Sequence, residues 1–169
     1  MYTKPILKLP LFLSAILFCC LMACSKSNNN NNSNNGSSSL KATVDGTSWQ
    51  ATYVYGVDST SAHLIAMAGS DNNQTNTLLI AFPDTLGTGT YSMNIAAGII
   101  MEYVVKVSSS SSTIYIADPA IGGSGTITIT SYNKSAKQVQ GTFSGVAKNV
   151  TNDGTSKTIA SGSFSVTYH

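Results

Sequence analysis

The sequence predicts an all-β protein, a single antiparallel β-sandwich or flattened barrel of about nine to ten strands with mostly meander connections. Apolar and polar residues alternate with a period of two through much of residues 40–169, as in strands that bury one face. Clusters of Gly, Asn, Asp, Ser and Pro interrupt the alternation about every ten residues. No stretch has the spacing of an amphipathic helix, so the pattern favours strand after strand.

Five stretches show the alternation most clearly: 49–57, 78–82, 101–107, 126–130 and 164–168. Their Thr, Val, Ile and Tyr residues suit a half-buried pleated surface. Within the first stretch, Trp49, Tyr53 and Tyr55 have the same parity, which predicts that they share one strand face. Residues 63–68 fit a helix and a buried strand equally well.

Seven turn clusters separate the strands: 45–47, 70–73, 83–89, 108–112, 119–125, 133–136 and 152–156. Several are short enough for hairpins. A shorter theme, glycine followed by a hydroxyl residue and a large apolar residue, begins at Gly89, Gly125, Gly141 and Gly162. Because glycine tolerates tight bends, we expect these four positions to mark the starts of strands.

Residues 1–23 have the layout of a secretory signal peptide, with Lys4 and Lys8 ahead of an apolar run at 9–21. The run is shorter than the about 20 residues that span a bilayer. Its end, Leu21-Met22-Ala23-Cys24, resembles the lipobox of bacterial lipoproteins, which implies cleavage before Cys24 and acylation of its sulfur. Three acyl chains, as that family carries, would anchor the protein stably in a membrane.

Residues 24–39 are predicted to be a tether, and residues 40–169 the β domain. The tether is almost entirely Asn and Ser, so it cannot bury enough apolar surface to offset the entropy of ordering, and we expect it to be disordered. Ser25 follows the cysteine where an aspartate would favour the inner membrane. By resemblance to enterobacterial sorting rules, the expected location is the outer membrane, on its periplasmic side or at the cell surface.

Charge argues against nucleic acid as a partner. Beyond Cys24, seven lysines balance seven acidic residues, and the chain contains no arginine. Binding to nucleic acid needs clustered positive charge. The expected partners are therefore the membrane, through the lipid, and a protein or glycan that the sequence does not identify.

Residues suited to catalysis are scarce, so we expect no enzymatic activity and no cofactor. The two histidines are His63 and the terminal His169, and a chain end is usually frayed. The sole glutamate, Glu102, alternates with Tyr103, which predicts a solvent-facing position. No metal site is expected either, because too few ligands could converge. Residues 71–73 could offer oxygens to calcium but lack the rest of an EF-hand loop, which favours a polar turn.

Aromatic residues are the better candidates for binding. Trp49, Tyr53 and Tyr55 are the predicted ligand-binding residues, since Trp and Tyr stack on sugars and anchor interfaces. A core position for Trp49 is the competing interpretation, because the domain has few other large residues.

Several motifs together resemble uncharacterised β-rich lipoproteins of Bacteroidota that carry a domain of unknown function. They are Ala42-Thr43-Val44-Asp45-Gly46 with Trp49 and Ala51, Gly89-Thr90-Tyr91, residues 125–129, Gly141-Thr142-Phe143 and residues 161–166. The resemblance covers residues 40–169 and implies a secreted, membrane-tethered β domain without an assigned activity. Asp58-Ser59-Thr60 and Asp84-Thr85-Leu86 also resemble Bacteroidota O-glycosylation acceptors, at Ser59 and Thr85.

The sequence therefore predicts an envelope lipoprotein that serves as a non-catalytic interaction or structural module. The alternative is a protein that binds a glycan or small ligand in a tyrosine-lined groove or barrel mouth.

Overall fold

The computed structural model describes residues 38–169. The predicted leader, the acylation site at Cys24 and nearly all of the tether lie outside these residues. The described strands and 3-10 helices are β1 (Ser39–Val44), β2 (Thr47–Gln50), β3 (Tyr53–Ser59), β4 (Leu64–Ser70), β5 (Asn76–Pro83), β6 (Gly89–Ser92), the 3-10 helix Ile95–Ala97, β7 (Ile100–Ser108), β8 (Ser111–Ile116), the 3-10 helix Pro119–Ile121, β9 (Ser124–Asn133), β10 (Gln138–Asn149) and β11 (Ser156–Thr167).

The predicted all-β class is confirmed: residues 38–169 form one curled antiparallel sheet with the shape of a half-barrel. The main path runs β2-β1-β11-β10-β8-β7-β5-β4-β3, and β9 pairs with both β10 and β6. Eleven strands appear in this part of the chain, and β2 and β6 have only four residues each. The same residues contain no helix with the length and apolarity needed to cross a bilayer.

Meander connections dominate, as predicted. Consecutive strands are hydrogen-bonded neighbours at β1–β2, β3–β4, β4–β5, β7–β8, β9–β10 and β10–β11. Each predicted turn cluster spans one of the connections between strands. At the first, Asp45 and Gly46 have φ values of 48° and 82°, the two positive values of a type I′ hairpin turn.

Strand β10 is the branch point of the sheet. One of its edges pairs with β11, and its other edge pairs with β9 from Gln138 to Val146. Beyond that, Lys148 and Asn149 pair with β8. The sheet therefore divides at β10 into a β9–β6 branch and a β8–β7–β5–β4–β3 branch.

The end of the chain closes the curl against β3. The His169 carbonyl oxygen accepts a hydrogen bond from the Asp58 N–H at 2.9 Å, and the His169 N–H donates to the Gly56 carbonyl at 3.2 Å. A Cβ at Gly56 would lie 2.6 Å from Val166, so only glycine permits this approach. The expectation of a frayed terminus is wrong for the backbone of His169, because these two bonds hold it.

One continuous core fills the concave side of the sheet. Its members come from one parity of each long strand, for example Ile65 and Met67 in β4 and Leu78, Ile80 and Phe82 in β5. Residues 63–68, whose sequence fits a helix and a buried strand equally well, mostly belong to strand β4. The last turn before it contains His63, whose φ is 52°.

The predicted common face for Trp49, Tyr53 and Tyr55 is wrong. The strand breaks after Gln50, since the Ala51 N–H still donates to Leu40 of β1 whereas the Thr52 N–H donates to Ser70 of β4. This change of partner reorients the chain. Trp49 consequently lies in the core, and Tyr53 and Tyr55 are exposed on the convex side.

The glycine theme marks strand starts only at Gly89 and Gly125. Gly141 and Gly162 instead lie inside β10 and β11, where Gly141 is paired with Phe164 and Gly162 with Phe143. Each phenylalanine ring lies over the glycine of the neighbouring strand, and the two rings stack 6.4 Å apart. These glycines make room for aromatic rings, a device known to compensate for glycine in strands.

We expect Gly162→Ala to lower the free energy of unfolding by about 1–3 kcal/mol, as overpacking does. The added methyl would lie 2.5–2.6 Å from ring atoms of Phe143, which must shift. Urea unfolding measures the effect. Gly87→Ala is the matched control, because a Cβ there meets nothing within 4 Å. Equal stability of the two variants would contradict the packing role of Gly162.

Candidate functional site

A polar cleft of about 230 Å³ opens at one end of the curled sheet. We call it the end cleft. It lies among the end of β3, the turn after β5, the β9–β10 connection and the residues after β11. Its lining residues are Asp58, Asp84, Thr85, Tyr132, Lys134, Lys137 and Tyr168.

Lys134 ties two sides of the end cleft together. Its ammonium donates a hydrogen bond to the Asp84 carbonyl oxygen at 2.8 Å and lies 5.2 Å from the centre of the Tyr132 ring. The Tyr132 hydroxyl donates to the same carbonyl at 3.5 Å. A cation over an aromatic face adds about 0.5–1 kcal/mol at exposed sites. The turn after β5 is thus fixed to the end of β9.

Two tyrosines line the end cleft, Tyr132 and Tyr168, with ring centres 6.3 Å apart. Behind them, Phe82 of the core meets Tyr132 edge-on with ring centres 6.1 Å apart. Burial raises the pKa of the Tyr132 phenol, and the neighbouring Tyr168 phenol adds to the effect. Tyr132 therefore keeps its proton at neutral pH and can both donate and accept hydrogen bonds.

Asp58 supplies the unsatisfied group of the end cleft. Its Oδ1 atom is buried and has no hydrogen-bond partner in the structure. A buried acceptor without a donor costs about 1–3 kcal/mol, and more when it is charged. A ligand that brings a hydroxyl or ammonium donor would remove this cost.

His63 lies beside the end cleft but does not line it. Its Nδ1 atom is 3.5 Å from Asp84 Oδ2, and its side chain is 79% exposed. Within the part of the chain that the structure describes, no serine or threonine hydroxyl is hydrogen-bonded to His63. His63 thus lies beside one carboxylate, and the described residues do not place a hydroxyl nucleophile against it as a catalytic pair would require.

The turn at 71–73 is organised by its own side chains. The Asp71 carboxylate accepts hydrogen bonds from the backbone and side chains of both Thr75 and Asn76, at 2.7–3.1 Å. This arrangement matches the predicted polar turn. Among residues 38–169, no group of three or more His, Cys, Asp or Glu side chains is placed to hold a metal ion.

A second feature lies on the convex side, where β4, β5, β7 and β8 are apolar on their outer face as well as their inner one. The residues of this outer apolar patch are Ala66, Ala68, Leu79, Ala81, Ile100, Val104 and Ile116. All are buried, yet they lie outside the core cluster. These side chains are at most 9% exposed, so the outer apolar patch offers little surface to solvent.

The rest of the convex side is polar. Strand pairing places Thr90, Thr128, Thr142, Ser163 and Lys41 in one row across β6, β9, β10, β11 and β1. Thr90 and Thr128 share a hydrogen bond of 2.9 Å. The outer face of the sheet is therefore hydroxyl-rich on β6, β9, β10, β11 and β1, and apolar on β4, β5, β7 and β8.

Glu102 belongs to the apolar side. Strand pairing places it between Leu79 of β5 and Ile116 of β8, and it is only 8% exposed. Glu102 is therefore buried, and the predicted solvent-facing position is wrong. Its neighbours on both adjacent strands are large and apolar.

The predicted binding residues are divided by the structure. Trp49 packs in the core, with 8% of its surface exposed, whereas Tyr53 and Tyr55 are 56% and 52% exposed at the β3 margin of the outer apolar patch. Sequence reasoning missed Asp58, Tyr132 and Tyr168 in the end cleft. They come from distant strands, and no local motif could have joined them.

A family model described as a domain of unknown function (DUF6252) matches residues 36–166. This match fits the resemblance to an uncharacterised domain over nearly the same residues. No curated protein and no solved structure matches the chain.

We expect Asp71→Asn to destabilise the domain by roughly 1 kcal/mol at pH 7, a figure already reduced for the exposure of the turn. Burial acts to raise the pKa of Asp71, but the hydrogen bonds from Thr75 and Asn76 outweigh it and lower the pKa. The stabilisation is therefore present above the unfolded value of 3.8 and is lost as pH falls through the lower folded value.

Urea unfolding of Asp71→Asn at several pH values tests this sign. The difference in the free energy of unfolding between the wild type and Asp71→Asn should narrow at acid pH, where Asp71 of the wild type becomes protonated. Asn73→Ser is the matched control, an exposed neighbour that makes none of these bonds. A gap that stays constant down to about pH 2 would contradict the assignment.

Proposed function

Because the chain belongs to the DUF6252 family, whose function is unknown, its role has to follow from its own residues, and we propose that it is an envelope lipoprotein acting as a non-catalytic interaction module. In this proposal Cys24 carries the lipid, residues 25–37 form a spacer, and the β domain presents the interaction surface. The expected location is the outer membrane, facing the periplasm or the outside.

The leader supports the anchor. A charged start, a short apolar run and Leu-Met-Ala before Cys24 are the features that lipoprotein processing requires. Cys24 is also the only cysteine that would remain after cleavage, and acylation of its sulfur explains why it has no partner for a disulfide. Each buried methylene of the acyl chains contributes about 0.8 kcal/mol to membrane binding.

The exposed tyrosines of β3 are the observation that carries the interaction role. Tyr53 and Tyr55 are two residues apart on one strand and therefore point to the same side of the sheet. Their side chains are 56% and 52% exposed, although large aromatic residues usually lie in a core. Exposed tyrosines are enriched where proteins bind partners.

Replacement of the acylated residue tests the anchor. In Cys24→Ala the thioether cannot form, so we expect the protein to lack acyl chains and to retain its leader, whereas the wild type loses the leader and enters the detergent phase in Triton X-114 partition of cell extracts. Ser25→Ala is the matched control and should partition as the wild type does. Detergent-phase recovery of Cys24→Ala, with its leader removed, would contradict the lipid anchor.

A second candidate function is the binding of a glycan or another small polyhydroxylated ligand in the end cleft. It is favoured by the unpartnered Oδ1 of Asp58 beside two tyrosines, Tyr132 and Tyr168. Sugar hydroxyls donate hydrogen bonds, and tyrosine rings pack against sugar faces. The volume of about 230 Å³ suits one sugar unit rather than a long chain.

Screening of the full chain against a panel of neutral mono- and oligosaccharides tests this second function. For any sugar that binds, Asp58→Asn should weaken the affinity at least about tenfold, because a bond to a charged acceptor contributes about 1.5–3 kcal/mol. Asp153→Asn is the matched control, an acidic residue of the β10–β11 turn outside the end cleft. Binding that Asp58→Asn leaves unchanged would contradict the assignment.

A further inference from the structure

The end cleft contains a carboxylate oxygen that has lost contact with water without gaining a partner. Oδ1 of Asp58 is buried, and no hydrogen-bond donor among residues 38–169 reaches it. Asp58 as a whole is half-buried and lines the open cleft. We propose that the sugar bound in the end cleft is an amino sugar, whose free ammonium pairs with Asp58. This inference rests on the glycan-binding function proposed above and names the class of sugar.

An ammonium compensates this carboxylate better than a sugar hydroxyl does. Both groups donate hydrogen bonds, but a bond between two charged partners is shorter and roughly twice as strong as a neutral one. An enclosed ion pair normally costs the hydration of both ions. In the free protein Asp58 Oδ1 is already shut off from water, so that part of the cost has been met in folding. Binding has to desolvate mainly the ammonium of the ligand.

A second carboxylate in the end cleft strengthens the preference for a cation. Asp84 lines the same cleft, and its side chain is 29% exposed. Burial raises the pKa of the Tyr132 phenol most, the hydrogen bond with Tyr168 adds to the effect, and the negative charges of Asp58 and Asp84 raise it further. The field of the two carboxylates therefore reaches the tyrosines of the cleft and favours positive charge beside them.

The cationic side chains near the end cleft do not neutralise Asp58. The Lys134 ammonium already donates to the Asp84 carbonyl oxygen at 2.8 Å. Lys137 is exposed, so water and salt screen its charge. His63 lies beside the cleft, 3.5 Å from the Asp84 carboxylate. Within the described part of the chain, none of the three forms an ion pair with Asp58.

The other lining residues suit the hydroxyl groups of a sugar ring. Tyr132 and Tyr168 provide phenol oxygens, which both donate and accept hydrogen bonds. Thr85 adds an exposed hydroxyl, and Lys137 adds a donor for sugar oxygens. An amine without a sugar would leave these groups unused. The cleft thus combines one site for a cation with several neutral hydrogen-bonding groups, as an amino sugar requires.

Pairs of sugars that differ in one substituent test the proposal with the mature full chain in a detergent that contains no sugar. Glucosamine and glucose, galactosamine and galactose, and mannosamine and mannose each exchange an ammonium for a hydroxyl at the same carbon. Calorimetric titration at slightly acidic pH, where the amine is protonated, measures both affinities. We expect the amino sugar of the best-binding pair to bind at least about tenfold tighter than its hydroxyl counterpart.

Replacement of the named partner tests the ion pair directly. Asp58→Asn keeps the shape of the side chain without its charge, so this variant should bind the two sugars of the pair within about threefold of each other. Because Asp58 Oδ1 has no partner in the free protein, the replacement removes no hydrogen bond from it, and thermal unfolding should match the wild type. Asp153→Asn, the matched control outside the end cleft, should keep the full preference.

The outcomes separate this inference from the glycan function on which it rests. A hydroxyl sugar that binds the wild type as tightly as its amino counterpart would overturn the inference and leave glycan binding intact. A preference that survives in Asp58→Asn would overturn it too. Ethanolamine that binds as tightly as the amino sugar would also overturn it, because the site would then recognise the amine alone. Binding of no sugar from either group would overturn the glycan function itself.

Discussion

Burial of one apolar face inside a curled sheet is the constraint on which the rest of this structure depends. Every long strand gives one parity to the core, and glycines permit the close contacts that curl requires. Gly56 lets β3 meet the chain end, while Gly141 and Gly162 accept the rings of Phe164 and Phe143. With the inner parity committed to the core, the outer parity is free to carry function.

The outer parity differs from one part of the sheet to another. The outer faces of β9, β10 and β11 are rich in Thr and Ser, whereas those of β4, β5, β7 and β8 are apolar around Glu102 and are buried. The exposed aromatic residues lie on β3, at Tyr53 and Tyr55. The end cleft is a separate feature at the rim of the sheet, built on loops that a rigid scaffold positions.

The alternation of apolar and polar residues was sufficient to predict the sheet, its turns and the pairing of most strands with the next strand in the sequence. The alternation failed to predict which side chains are buried where that depends on the strand with which a segment pairs. Residues 49–57 keep one apolar parity throughout, yet the chain changes its partner strand between Ala51 and Thr52, so Trp49 is buried while Tyr53 and Tyr55 are exposed. Asp58, Tyr132 and Tyr168 meet only through the fold, and strand register alone placed Glu102 between Leu79 and Ile116.

Site-directed photo-crosslinking tests the central claim, that the exposed side of β3 is where this protein meets its partner. A photoreactive amino acid in place of Tyr55, which is 52% exposed, should give crosslinked adducts of the full chain in its native membrane. The same amino acid in place of the exposed Thr142, on the hydroxyl-rich part of the sheet, should give none. Equal crosslinking from the two positions, or none from position 55, would contradict the account.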